Sequence, residues 1–254
     1  MANNWTREEH ILAFNLYNRI PFGKINKSNP EVIELASLID RTPSSVGMKL
    51  GNFGRLDPVL KARGVSGLKN GAKGEVEVWE EFKESPEDLV YESEKLRAKR
   101  HNIDISQSAE IVIDDLNLIG KDREILVKQR VNQSFFRRRV LTAYDNKCCI
   151  TGLAIPQLLV AGHIIPWSQN ISLRLNPQNG LSLNMLHDKA FDRGLMWIDE
   201  NFIIQYSPEF LEEQKQNSSG YDWMKQFEGK RLQLPKGFQP SVEYLKAHKA
   251  GAWR

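Results

Sequence analysis

Apolar residues recur at helical spacing through the first part of the chain and predict three helices there. In the first, WTREEHILAFNLYNRI, Thr6 stands at a capping position and Glu9 follows three residues later, which is the pattern of a capping box. The second helix is predicted in EVIELASLID and the third in SSVGMKLGNFGRL, with the tight turn RTP between them. Two helices joined by a short turn after a preceding helix are typical of a helix-turn-helix.

The third helix carries the polar side chains of this first block. Its outer side is predicted to present residues that can bond phosphates or base edges, namely Ser44, Ser45, Lys49, Asn52 and Arg55. The alternative is a plain three-helix bundle with a polar face. We expect Lys49, Asn52 and Arg55 to contact DNA.

The pattern changes twice further along. Residues 75–120 begin as a charged helix with few apolar anchors, and we interpret them as an acidic helical connector. The stretch KDREILVKQRVNQSFFRRRVLTAYDNK restarts an amphipathic helix with a basic cluster at Arg137, Arg138 and Arg139.

From Cys148 onward the period becomes that of strands. CCIT and LLVAGHII predict two strands with a turn at Thr151-Gly152, and SLRLNPQNGLSLN predicts a loop. MLHDKAFDRGL predicts a short helix, and MWIDENFIIQYS a final hairpin. The pattern therefore predicts an α+β protein with a helical, helix-turn-helix-like domain at 1–74, a connector at 75–120, and a mixed domain with a helical extension at 121–254.

The distribution of charge along the chain indicates a polyanionic binding partner. The net charge is only +3, but residues 1–74 hold 11 Lys and Arg against 6 Asp and Glu, residues 75–120 hold 5 against 13, and residues 121–150 hold 8 against 3. Two basic blocks around an acidic one indicate two surfaces for a polyanion, with solvated helix faces as the alternative.

Cysteine content and hydropathy exclude other classes. The only two cysteines are neighbours, Cys148 and Cys149, so no CxxC pair exists and no structural zinc is expected. No apolar run approaches the roughly 20 residues that span a bilayer. Because the first residues lack the apolar region of a secretory signal, we expect a cytoplasmic protein.

The run from Tyr144 to Ile204 contains VAGHIIPW and, after it, NGLSLNMLHDKAFDRGL. With these two motifs it resembles the HNH endonuclease family of the ββα-metal fold, in the branch common among restriction endonucleases. The resemblance implies that His163 is the general base and that Asn179 orients it through backbone bonds. A neutral histidine suits the removal of a proton from water at physiological pH.

The resemblance also implies a metal site, from which this chain departs. Many family members carry a ligand directly before the catalytic histidine, where this chain has Gly162. Nine residues after Asn179 stands Asp188, and we expect Asp188 and His187 to be ligands, with Asp192 as a weaker candidate one helical turn further on. An oxygen-rich, incomplete ligand set suits Mg²⁺ or Mn²⁺.

The sequence thus predicts a metal-dependent DNA endonuclease of the restriction or defence type. Double-stranded DNA is the expected partner, with a modified base or an unmodified sequence as the two alternatives, and a palindromic site would favour a homodimer. Arg193, after the metal helix, is a further candidate for phosphate contact, as are Arg137, Arg138 and Arg139. The rival interpretation is a non-catalytic DNA-binding or regulatory protein on a degenerate HNH scaffold, which the missing ligand at Gly162 favours.

Overall fold

The computed structural model describes residues 4–64, 71–111, 119–212, 219–235 and 237–251. It divides into two compact units, Met1–Phe135 and Phe136–Arg254, each with its own packing. The boundary falls inside the long helix α8, which spans Gly120–Ala143. Over the described ranges, no helix combines the length and the apolar character needed to cross a membrane.

Seven α-helices precede α8 in the described part of the first unit. They are α1 (Arg7–Arg19), α2 (Pro30–Leu38), α3 (Pro43–Gly54), α4 (Pro58–Ala62), α5 (Lys73–Phe82), α6 (Pro86–His101) and α7 (Ile105–Ser108). The capping box predicted at α1 is confirmed, because the Thr6 hydroxyl accepts from the backbone of Glu9 and the Glu9 carboxylate accepts from the backbone of Thr6. Helices α2 and α3 have simpler caps, because the side chains of Asn29 and Thr42 each accept from one backbone amide of the first turn.

The core of the first unit extends beyond the predicted boundary at residue 74. Helices α5 and α6 both pack on α1, and their apolar side chains Val78, Phe82, Leu89 and Leu96 are buried in the same cluster as Ile11. These four side chains recur at helical spacing and suffice to anchor both helices. The described part of the segment interpreted as a connector is therefore a component of the first unit, although its outer surface is acidic.

The second unit contains a two-stranded sheet followed by a helix. Strand β1 (Leu159–His163) pairs antiparallel with β2 (Gly180–Asn184), so that His163 stands opposite Gly180. Helix α9 (Met185–Asp192) follows β2 and packs on both strands. The order strand, strand, helix was predicted, and the strand predicted in LLVAGHII is confirmed as β1. The other predicted strand is wrong: CCIT forms turns, and GLSLN, expected as a loop, is β2.

Among the described residues of the second unit, a hairpin and three short helices follow α9. Strands β3 (Met196–Ile198) and β4 (Ile204–Tyr206) form the hairpin predicted from the sequence. Helices α10 (Pro208–Glu212), α11 (Ser219–Lys225) and α12 (Val242–Lys249) follow. His248 of α12 is buried, and its ring stacks on Phe191 of α9 with 3.6 Å between the ring centroids. The C-terminal helix thus packs directly against the helix that carries Asp188.

Candidate active site on the two-stranded sheet

His163, the last residue of β1, is held on two sides. Its ring stacks on Phe136 at a centroid distance of 3.7 Å and meets the edge of Trp167 at 5.5 Å. Its Nε2 donates to the backbone carbonyl of Arg174 at 2.9 Å. When the ring is neutral, donation through Nε2 leaves the lone pair on Nδ1. Burial lowers the pKa of His163, although the bond to the Arg174 carbonyl opposes that shift.

Asn179 lies buried at the turn before β2 and joins three backbone segments. Its Oδ1 accepts from the Ile165 amide at 2.7 Å, and its Nδ2 donates to the Ile165 carbonyl at 3.0 Å and to the Leu173 carbonyl at 3.3 Å. Its own carbonyl accepts from the Ile164 amide. These bonds fix the chain directly after His163 to the loop that supplies its carbonyl partner.

Asp188 on α9 lies against the backbone of β1 at Gly162, one residue before His163. A Cβ built on Gly162 would lie 2.5 Å from Asp188 Oδ1, which is closer than such contacts occur. The glycine therefore leaves room for the carboxylate. Burial, and next the negative charge of Asp192, raise the pKa of Asp188 to about 6, while Lys189 opposes the shift.

These carboxylates fit a weakly ligated hard cation better than a closed metal site. In the described ranges, no group of three or more His, Cys, Asp or Glu side chains is arranged to hold a metal ion. Asp188 and the exposed Asp192 offer oxygen atoms only, and Mg²⁺ commonly binds proteins through one or two carboxylates together with waters and phosphate. A carboxylate whose pKa is raised by burial gains from a nearby cation.

His187 does not share the surroundings of Asp188. It is fully buried, with ring centroids 5.2 Å from Trp223 and 5.3 Å from Phe227. Its Nδ1 accepts from Asn184 Nδ2 at 2.8 Å, and burial lowers its pKa to about 4. The expectation that His187 faces a cation is corrected, because its ring packs in the interior, where it supports the start of α9.

The predicted arginine cluster packs largely on its own chain. Arg137 donates to the carbonyls of Leu159 and Pro156 at 2.6 and 2.8 Å, and Arg139 donates to the Leu175 carbonyl at 3.0 Å. All three arginines are half-buried, whereas Arg193 at the end of α9 is exposed. The bonds of Arg137 and Arg139 brace β1 and the loop before β2.

The three predicted DNA contacts of α3 converge on one buried carboxylate. Lys49 Nζ and Asn52 Nδ2 both donate to Glu75 Oε1, and an Arg55 guanidinium nitrogen lies 3.3 Å from Glu75 Oε2. Glu75 is fully buried and Lys49 is only 6% exposed. The placement of Lys49 on an outer surface is thus corrected: α5 covers it and supplies its counter-ion.

Sequence reasoning missed the neighbours that hold His163. Phe136, Trp167 and the carbonyl of Arg174 surround its ring. A backbone carbonyl leaves no trace in the residue type, and nothing in the sequence marks Phe136 as the apolar residue of its helix that stacks on a histidine. The apolar spacing of α8 was the only available signal.

The stretch that forms this site resembles a known protein family. Residues 148–199 match the family model described as HNH endonuclease. The matched HNH segment contains His163, Asn179 and Asp188 and covers β1, β2, α9 and β3. A search of curated proteins found no match for the chain. The HNH match supports nuclease activity in general, and HNH nucleases generally use divalent metal ions.

Proposed function

We propose that the protein is a metal-dependent DNA endonuclease of the restriction or defence type. The observation that carries the proposal is the geometry at the end of β1, where His163 Nε2 donates to a backbone carbonyl and the Asp188 carboxylate lies against Gly162, the residue before His163. A base oriented in this manner can take a proton from water without changing its tautomer.

In the proposed reaction His163 Nδ1 accepts a proton from water as the water oxygen attacks phosphorus. The bond from phosphorus to the leaving oxygen breaks, the leaving oxygen takes a proton from solvent water, and the products are a phosphomonoester and a hydroxyl end. The lowered pKa of His163 keeps the ring neutral, and therefore basic, at physiological pH. Asn179 acts as a positioning residue, because it fixes the backbone on both sides of the ring.

Asp188, with Asp192 one turn further along α9, is the proposed holder of Mg²⁺ or Mn²⁺. A bound divalent cation would neutralise charge on the phosphate and on the leaving oxygen. Gly162 contributes space for the carboxylate where many family members carry a ligand. On this view the absence of a ligand at Gly162 does not require a degenerate, non-catalytic scaffold.

Duplex DNA is the proposed substrate, and the first unit is proposed to select it. Arg193 and Lys147 are exposed cations of the second unit that can contact phosphates. We include recognition of a modified base as one version of the proposal, and a homodimer as the assembly if the site is palindromic.

The test is incubation of the full chain with modified and unmodified duplex DNA in Mg²⁺, in Mn²⁺ and in EDTA. The proposal predicts cleavage that depends on the cation and disappears in EDTA. Binding of DNA without cleavage under every cation condition would favour the non-catalytic regulatory protein instead.

A further inference from the structure

The loop between β1 and β2 is anchored by a residue that also contacts the proposed base. Arg174 Nε donates to the carbonyl of Trp167 at 2.9 Å, and the Arg174 guanidinium lies over the Trp167 ring at 5.0 Å from its centroid. The backbone carbonyl of the same Arg174 accepts from His163 Nε2 at 2.9 Å. The Arg174 side chain therefore joins two parts of the loop, and the Arg174 backbone joins the loop to His163.

The direction of that carbonyl depends on the peptide units on either side of it. Asn179 donates to the Leu173 carbonyl and Arg139 donates to the Leu175 carbonyl, so both neighbouring peptides are held. The Arg174 side chain supplies a bond across the loop, to the carbonyl of Trp167, seven residues earlier. A loop closed in this manner has less freedom to rotate the central peptide away from His163.

The base itself is enclosed by the same arrangement. Trp167, whose carbonyl accepts from Arg174, also contacts His163 in an edge-to-face arrangement, and Phe136 stacks on the face of the His163 ring. These aromatic contacts limit where the ring lies but do not choose between its two neutral tautomers. That choice requires an acceptor at Nε2, and the Arg174 carbonyl provides it.

We infer that Arg174 is a positioning residue whose side chain, bonded to the Trp167 carbonyl, holds its own carbonyl against His163 and so selects the tautomer that leaves Nδ1 as the base. The consequence for catalysis rests on the proposed function. The consequence for the tautomer does not, so the two can be tested separately.

The first measurement is ¹⁵N NMR of the histidine ring nitrogens in the full chain, at a pH where His163 is neutral. The chain has five histidines, and the spectrum of His163→Gln identifies the signals of His163. In the wild type we expect protonated Nε2 and unprotonated Nδ1. Arg174→Met keeps an apolar stem over Trp167 but removes the donor, and it should mix the two tautomers. Arg174→Lys, which keeps a donor, should restore most of the wild-type pattern.

The second measurement is cleavage by the same variants. Arg174→Met should lower kcat roughly tenfold, since misplacement of a catalytic group on the order of 1 Å can cost that much or more. KM should change less than about twofold if Arg174 does not touch the substrate. Lys246→Ala removes an exposed cation of α12 and serves as the matched control, with unchanged ring signals and unchanged kcat.

The outcomes separate the two claims. A folded Arg174→Met protein that keeps the wild-type tautomer would overturn the inference. So would a rise in KM without a change in the ring signals, because Arg174 would then be a substrate contact. If the wild type cuts no DNA, the proposed function fails, and the tautomer measurement still decides the role of Arg174.

Discussion

The Asp188 carboxylate lies where a side chain at position 162 would be, so the candidate site requires glycine at that position. A methyl group on Gly162 would lie 2.5 Å from Asp188 Oδ1, so the carboxylate would have to move. We predict that Gly162→Ala lowers cleavage roughly tenfold or more and raises the Mn²⁺ concentration needed for half-maximal activity. Metal titration of the cleavage rate is the measurement.

Gly220→Ala is the matched control for this substitution. Gly220 lies in α11, and a Cβ there would meet nothing within 4 Å. The control should behave as wild type. A Gly162→Ala variant with wild-type activity and wild-type metal dependence would show that the position of the Asp188 carboxylate is unimportant.

The raised pKa of Asp188 makes a prediction about stability. Burial and Asp192 raise this pKa from the ordinary 3.8 to about 6, so the charged form is less favourable in the folded chain than in the unfolded chain. The folded state therefore loses stability as the pH rises through this window, and the cost remains above it. Without metal, Asp188→Asn should raise the free energy of unfolding by roughly 1–2 kcal/mol at about pH 8 and change it little at about pH 4.

Chemical denaturation of the wild type and of Asp188→Asn at the two pH values checks this prediction. The same variant should cut DNA more slowly, because an amide holds a cation less well than a carboxylate. Equal destabilisation at both pH values would mean that Asp188 is a structural residue of α9.

The buried carboxylate of Glu75 on α5 binds side chains of α3, and we expect this pairing to stabilise the first unit. Removing one partner of a buried ion pair leaves the other charge without compensation. Glu75→Gln should therefore lower the free energy of unfolding by about 3 kcal/mol. Thermal or denaturant unfolding of the full chain measures the change.

Glu77→Gln on the same helix is the control. The Lys73 and Glu77 side chains of this pair are 90% and 61% exposed, and such pairs contribute about 0–1 kcal/mol. If Glu75→Gln is as mild as Glu77→Gln, then Lys49 is not held by Glu75 and its assignment as a DNA contact regains support.

The packing of α5 and α6 on α1 predicts the effect of a truncation. A chain without residues 1–74 would retain both helices but lose the surface that buries Val78, Phe82, Leu89 and Leu96. We expect this truncated protein to bind a hydrophobic dye strongly and to aggregate. A monomeric truncated chain that binds no dye would show that α5 and α6 form a free-standing connector.

At the level of elements, local signals predicted the helices better than the strands. The α1 capping box could be read from Thr6 and Glu9 because both groups lie within one turn. Strand β2, in contrast, begins with a glycine, ends with an asparagine and is buried throughout, so its residues resemble a loop. Its pairing with β1 is formed by residues about 20 positions away, which local propensity does not encode.

The residue types of the candidate site could be predicted from the sequence, but the directions in which their side chains point could not. His163, Asn179 and Asp188 were identified by resemblance, but two neighbouring residues on a helix point in directions about 100° apart. The sequence therefore left both His187 and Asp188 as ligands, and packing of Trp223 and Phe227 distinguishes them. Glu75 likewise lies 26 residues from Lys49, so their pairing could not be read from either helix alone.

For the whole molecule, charge and composition indicated two domains joined by an acidic connector at 75–120, whereas the structure has two units and the described part of that segment packs in the first. The predicted boundary followed the change in charge, whereas the observed boundary follows packing and falls within α8. Acidic residues lie on the outer surface of α5 and α6 while apolar residues face α1, so net charge alone marks no domain limit here.

The most direct measurement is the single-turnover cleavage rate of His163→Ala beside the wild type, on the same duplex DNA and at saturating Mn²⁺, with DNA affinity measured in parallel. Removal of the base should lower the rate by about 10²-fold or more, the lower range of contributions from a positioned general base. Affinity for DNA should stay nearly unchanged, because His163 is not one of the proposed phosphate contacts and the contacts it makes are with Phe136, Trp167 and a backbone carbonyl. A variant that cuts at close to the wild-type rate would contradict the assignment of His163 as the base.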